Sequence, residues 1–97
     1  MQRNKYITDL QNAIRAVHGC ESHHVSTSRV VSQFEGETAW DGEVETFDLV
    51  GHIKAQRCHA WGYVEDGQLR STVVLELPPV DSPSSAVDVA IAAKRSI

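Results

Sequence analysis

Residues 56–76, QRCHAWGYVEDGQLRSTVVLE, decide the fold. Asp66-Gly67 is a strong signal for a two-residue hairpin turn, because both residue types tolerate the positive φ that such turns require. A turn at this point fixes the pairing of the flanking strands, since the residue numbers of each cross-strand pair must then sum to 133. Val64 therefore faces Leu69, and every other pair follows from that one.

The two faces of this hairpin differ in character. One face is apolar but small on its first strand, at Cys58, Ala60 and Gly62, which leaves room for helices to dock. The other face pairs rings with guanidinium groups and a charge with its opposite. Its members are Arg57, His59, Trp61 and Tyr63, opposite Glu76, Val74, Thr72 and Arg70. We expect the small face to lie under helices and the ring-bearing face to stay open.

Two further strands are predicted between His24 and Leu49. Asp41-Gly42 has the better turn chemistry, but a turn at Glu35-Gly36 gives the better pairing, with Val31 opposite Trp40. We prefer the second turn. Acids occupy odd positions from Glu35 to Glu45, whereas the apolar Phe47 and Leu49 are also odd. This change of phase predicts a β-bulge near Glu45-Thr46.

A helix is predicted at each end of the chain. Apolar residues recur every three or four positions from Asn4 to His18, and Gly19 suits a left-handed stop. Ser82 followed by Pro83 is a strong start signal for the second helix. Its predicted seam consists of Ala86, Ala90, Ala93 and Ile97.

These elements predict a single α+β domain over residues 1–97, in the order α-β-β-β-β-α. The predicted architecture is a two-layer sandwich, in which both helices cover one face of a four-stranded antiparallel sheet. An alternative is that the faces are reversed, so that Trp61 and Tyr63 lie under the helices.

Composition narrows the function classes. The chain has 97 residues, 41% of them apolar, and a net charge of −4. The acidic balance disfavours nucleic acid and anionic membranes as partners. No apolar run is long enough to span a membrane, and no signal peptide is visible. We therefore expect a small soluble protein of the cytoplasm.

A metal site is one candidate. His18, Cys20, His23 and His24 form an H-x-C-x2-H-H cluster, and His52 and Cys58 follow downstream. Imidazole and thiolate are preferred zinc ligands, although this spacing matches no known zinc finger or ribbon. The alternative is a polar loop after the first helix and a small core cysteine.

A thiol-dependent site is a related candidate. Cys58 and His59 are adjacent on a strand and point to opposite faces, so His59 is poorly placed to activate the thiol. His52 is the better base, with Asp48 to orient its ring. The second functional hypothesis is therefore a zinc or thiol site built from Cys58, His52, Cys20 and His23.

The leading hypothesis is a non-enzymatic binding module that uses the open sheet face. Its candidate residues are Arg57, His59, Trp61, Tyr63 and Arg70. Rings mixed with guanidinium groups are typical of partner or ligand surfaces, and closed two-fold dimers are the commonest soluble oligomers. We expect a homodimer, or a protein or small-molecule partner, on this face. On this hypothesis Trp61→Ala weakens binding and leaves the fold intact.

Three strings carry a family resemblance: Phe34-Glu35-Gly36-Glu37-Thr38-x-Trp40-Asp41-Gly42, Phe47-Asp48-Leu49-x-Gly51-His52 and Cys58-x-Ala60-Trp61. They resemble small bacterial proteins to which no activity is assigned. The resemblance implies a bacterial, cytosolic origin and no catalytic residues.

Overall fold

The computed structural model describes the backbone of residues 2–95 and the side chains of residues 4–93. The elements are α1 (Gln2–His18), β1 (Glu21–Phe34), β2 (Glu37–Val50), β3 (Arg57–Glu65), β4 (Gln68–Leu75) and α2 (Pro83–Arg95). The strands form one antiparallel sheet in the order β1-β2-β3-β4. The α+β class and the order α-β-β-β-β-α are thus confirmed. None of the described helices has the length and apolar character needed to cross a membrane.

The hairpin of β3 and β4 has the predicted register. Asp66 and Gly67 both have positive φ, at 53° and 75°. Val64 pairs with Leu69, and the ladder continues without a shift to the pair Cys58 and Leu75.

The first hairpin turns at Glu35 and Gly36, as preferred, with φ of 53° and 81°. The strands are offset by one residue from the predicted pairing, because an irregularity lies between Ser32 and Gln33. As a result, Trp40 pairs with Ser32 instead of Val31.

A bulge is present at the level predicted near Glu45-Thr46, opposite Thr46 and Phe47, but it is not on β2. β2 alternates without interruption there, and Phe47 and Val44 belong to the cores on the two opposite faces of the sheet. The bulge lies instead in β1, where Val25 has no pair between His24 and Ser26.

The helices cover opposite faces of the sheet. Leu10 and Ile14 of α1 form one core cluster with Phe47, Cys58 and Ala60. Val87 and Ala86 of α2 form the other cluster, which contains Val30, Val44 and Trp61. Ala60 and Trp61 are neighbours on β3 and therefore point to opposite faces.

The prediction that both helices share one face is corrected by this packing. α1 lies on the predicted small-residue face, and α2 lies on the ring-bearing face. The physical reason is that Cys58–Val64 is uncharged apart from the His59 imidazole, so both faces of β3 need cover. The alternative that placed Trp61 and Tyr63 under a helix is confirmed, and the helix that covers them is α2.

Both predicted helix boundaries have a visible cause. Gly19 follows α1 with φ of 69°, and its N–H donates to the Arg15 carbonyl at 2.8 Å. At the start of α2, the Ser82 hydroxyl accepts the Ser85 N–H at 3.1 Å, which is the geometry of an N-cap. Ile97, the last residue of the predicted seam, lies outside the described residues.

The ladder between β2 and β3 is short. It has four pairs and ends at Glu45 and Ala60, although both strands continue beyond it. Past that point the Gly62 N–H donates to the Tyr6 hydroxyl of α1 at 2.8 Å. A Cβ on Gly62 would lie 3.0 Å from the Tyr6 ring, so a larger residue here would require the ring to move back by a few tenths of an ångström.

Tyr6→Phe tests this contact. The change leaves the Gly62 N–H without its acceptor, and we expect the free energy of unfolding to fall by about 1–2 kcal/mol. Urea denaturation measures it. The control is Tyr63→Phe at the only other tyrosine, with an expected change within about 0.5 kcal/mol. Equal losses in the two variants would contradict a special role for the Tyr6 hydroxyl.

Candidate functional site

A groove lies between α2 and the sheet face that carries the rings. Its volume is about 570 Å³, within the range of small-molecule sites. We call it the α2 groove. The residues that line it are Trp40, Trp61, Tyr63, Thr72 and Val74 from the sheet, and Val87, Val89, Ala90, Ile91 and Ala93 from α2.

Two tryptophans form one wall of the α2 groove. The rings of Trp40 and Trp61 are 5.6 Å apart between centroids and inclined at 58°. Trp61 is only 4% exposed, so its position is fixed by the core, whereas Trp40 is half-buried. On the helix side, Ala90 and Ala93 have small side chains that leave the space open.

The chemistry of the lining is nearly apolar. Among residues 4–93, whose side chains the structure describes, no lysine, arginine, aspartate, glutamate or histidine lines the groove. The Tyr63 and Thr72 hydroxyls and the indole N–H groups are the only polar groups that their side chains offer. The α2 groove therefore suits an uncharged apolar or aromatic group, which the aromatic rings contact and the hydroxyls orient.

The five candidate residues of the predicted open face do not form an exposed surface. His59 and Trp61 are buried, at 1% and 4% exposure, because α2 and the segment that precedes it cover this face. Arg57 is half-buried and lies 3.0 Å from the Asp48 carboxylate. Arg70 is exposed. Of the five, only Trp61 and Tyr63 line the α2 groove.

His59 belongs to a buried hydrogen-bonded series. Its Nδ1 is 2.9 Å from the Thr46 hydroxyl, and its Nε2 is 2.8 Å from the Glu76 carboxylate. The order hydroxyl, imidazole, carboxylate is that of a hydrolase triad. Thr46 is only 3% exposed, so a substrate has no access to its hydroxyl. The series satisfies polar groups that the fold buries and holds β2, β3 and the end of β4 together.

Two of the predicted metal ligands meet at the end of α1. The rings of His18 and His52 are 5.6 Å apart between centroids in an edge-to-face arrangement. Burial, and then the proximity of His52, lowers the pKa of His18. His52 Nδ1 accepts the N–H groups of Lys54 and Ala55 at 3.1 and 3.0 Å. The neutral His52 imidazole therefore carries its proton on Nε2. In this arrangement neither of the two His52 nitrogens offers a lone pair to a metal.

Of the remaining predicted ligands, Cys20 packs against the core cluster that contains Cys58, whereas His23 and His24 do not join this pair. His23 is exposed, and its neighbour His24 points to the opposite face, where its Nε2 lies 2.8 Å from the Glu45 carboxylate. Cys58 is fully buried. Among the described side chains, those of residues 4–93, no three histidine, cysteine or acidic groups converge as a metal site. The structure does not assemble the predicted zinc site.

Cys58 lacks the properties of a nucleophile. Burial, followed by the proximity of Cys20, raises the pKa of its thiol to about 12. A reactive cysteine needs a lowered pKa and solvent access, and Cys58 has neither. The Nδ1 atom of His52 accepts two backbone N–H groups of its own loop and therefore cannot act as the base.

The residues that sequence reasoning missed are those on α2 and Trp40. The missed signal is the even-numbered apolar set on β2, Trp40 and Val44, which shares its face with Trp61. Apolar side chains on both faces of β3 indicate cover on both sides of the sheet.

Comparison with known proteins adds no relative: no family model, curated protein or solved structure matches the chain.

Trp61→Ala tests whether Trp61 is core. Because the ring is buried between α2 and the sheet, we expect the free energy of unfolding to fall by about 3–5 kcal/mol. Trp40→Ala, at a half-buried ring on the same wall, should cost less. Thermal and urea denaturation of both variants give the comparison. A Trp61→Ala protein as stable as the parent would restore the expectation of an exposed binding residue.

The Cys58 pKa makes a further prediction. Folding favours the protonated thiol, because the folded-state pKa lies above the unfolded value of about 8.5. The stability that Cys58 contributes is complete below about pH 8.5 and is lost as the pH rises toward 12. At pH 8, iodoacetamide should label the half-buried Cys20 first, and Cys58 only after denaturation. Rapid labelling of Cys58 in the native protein would contradict this, and peptide mass spectrometry distinguishes the two sites.

Proposed function

We propose that this protein is a small non-enzymatic binding module that holds an uncharged apolar or aromatic molecule in the α2 groove. The single observation that carries the proposal is a groove of about 570 Å³ that is walled by both tryptophans and whose described lining residues are all uncharged. In a chain with 23% charged residues, an uncharged lining of ten residues selects against charged ligands.

The alternative of a zinc or thiol site is not proposed. Its residues are dispersed over both faces of the sheet and the loops, and Cys58 is buried with a raised pKa. Two free cysteines are consistent with a reducing compartment, which supports a cytoplasmic location as part of the proposal. The resemblance to small bacterial proteins supports a bacterial source.

The test uses the uncharged dye Nile red as the probe. The two tryptophans are the only ones in the chain and both line the groove, so a bound dye should quench tryptophan emission. Ala93→Phe places a ring in the groove from an exposed position of α2. We expect this change to raise the Kd of the dye about tenfold, equivalent to about 1.4 kcal/mol.

The matched control is Ala92→Phe, which makes the same change at the next residue of α2, outside the groove lining. Its Kd should stay within about twofold of the parent value, since the groove keeps its volume. Equal weakening by the two variants, or no saturable binding by the parent protein, would refute the proposed function.

A further inference from the structure

We propose that two copies of this chain pair through the outer edges of their β4 strands, in antiparallel orientation, and so complete each other's α2 groove. The pairing stands on the edge strand itself. The completion of the groove rests on the proposed function.

The backbone of β4 presents a regular free edge. β4 is the last strand of the sheet and pairs only with β3 in the part of the chain that the structure describes. The Glu76 N–H donates to the Arg57 carbonyl, which directs the even residues of this strand toward β3. The N–H and C=O groups of Leu69, Ser71 and Val73 therefore point away from the sheet.

The free edge has few of the features that usually block edge pairing. Natural edge strands carry charges, prolines or bulges that prevent association. Gln68–Leu75 has Arg70 as its only charge and no proline, and its register with β3 is uninterrupted. The other edge strand, β1, has a bulge at Val25 and an irregularity at Ser32. Of the two edges, β4 is the one suited to accept another strand.

The described side chains of α2 that line the groove beside this edge are also uncharged. Val89 of α2 is 37% exposed, and Ala93 is exposed. Thr72 and Val74 of β4 line the groove next to them. A second strand on this edge would carry its side chains on that face along the open side of the groove. Two copies, each with a net charge of −4, can approach here without opposing acids at the contact.

A two-fold axis at Thr72 pairs the outward N–H and C=O groups of the two strands. It also keeps the two Arg70 side chains apart. Partner residues then sum to 144, so the outward groups of Ser71 meet those of Val73 of the partner subunit. Thr72 lies opposite Thr72 of the partner subunit in a pair without hydrogen bonds. Arg70 lies beside Val74 of the partner subunit, so the two guanidinium groups do not face each other.

The largest contact area that this edge offers is comparable with that of a stable dimer. Eight strand residues extend about 27 Å at about 3.4 Å each. A sheet and one helix layer are together about 20 Å deep. With α2 taking part along the whole strand, the contact buries at most about 540 Å² per copy, or about 1,100 Å² in total, which is close to the roughly 1,000 Å² expected of a biological interface.

The experiment compares Ser71→Pro with Ser71→Ala by sedimentation equilibrium and native mass spectrometry. Proline removes an outward N–H without breaking a bond to β3, whereas alanine removes only the side chain. The parent chain and Ser71→Ala should have twice the monomer mass of 10.7 kDa. Ser71→Pro should raise the dimer Kd at least about 100-fold. Circular dichroism confirms that each variant is folded.

Thr72→Cys provides an independent measurement on an unblocked edge. The Cα separation of about 4.5 Å in a pair without hydrogen bonds permits a disulfide between the two copies. In oxidised glutathione we expect a covalent dimer from Thr72→Cys and none from Val31→Cys, an exposed position on β1. Any of three outcomes would overturn the inference: a monomeric parent chain at 100 µM, a dimer that resists Ser71→Pro, or absence of the Thr72→Cys dimer. If the parent chain is a monomer, the free edge would instead be available to an extended peptide of another protein.

Nile red binding separates this inference from the proposed function. If the groove is completed by the partner, Ser71→Pro should weaken dye binding about fivefold, and Ser71→Ala should not. Dye binding by a monomeric parent chain would overturn the dimer and retain the proposed function. A β4-paired dimer that binds no dye would retain the pairing, and would refute both the proposed function and the completed groove.

Discussion

Burial of both faces of β3 is the constraint on which the rest of the structure depends. Ala60 is fully buried toward α1, and its neighbour Trp61 is 4% exposed toward α2. Each such residue gains about 1–3 kcal/mol by leaving water, roughly in proportion to its apolar area. A single helix layer leaves half of that area exposed. The two terminal helices therefore lie on opposite faces, and the sheet becomes the middle of three layers.

The polar groups inside this arrangement follow from the same constraint. Cover on the α2 side buries the His59 ring, and a buried imidazole without partners costs several kcal/mol. Thr46 and Glu76 provide those partners from the two flanking chain segments. The resemblance to a catalytic triad thus has a structural explanation, because the hydroxyl and the carboxylate are the partners that the buried His59 ring requires.

Local signals in the sequence predict the hairpins and helices, whereas the assignment of faces depends on tertiary packing. Asp66-Gly67 fixes the register of β3 and β4 because turn geometry is local. Trp61 and Tyr63 have the same alternation whether a helix or solvent covers them, so periodicity cannot assign the face. The sequence could not show whether the histidines converge on a metal, because this also depends on tertiary packing. Adjacent strand positions send His23 and His24 to opposite faces, and the loop uses the ligand atom of His52.

The α2 groove results from a mismatch between side-chain sizes on its two walls. The ladder of β2 and β3 ends at Glu45 and Ala60, and beyond it the rings of Trp40 and Trp61 span the two strands. Those rings hold α2 away from the sheet, while Ala90 and Ala93 are too small to fill the space that remains. An unfilled apolar space costs stability. Ala90 and Ala93 leave such a space opposite the two tryptophans, although Val87, Val89 and Ile91 on the same helix wall are larger. The proposed binding site rests on this space.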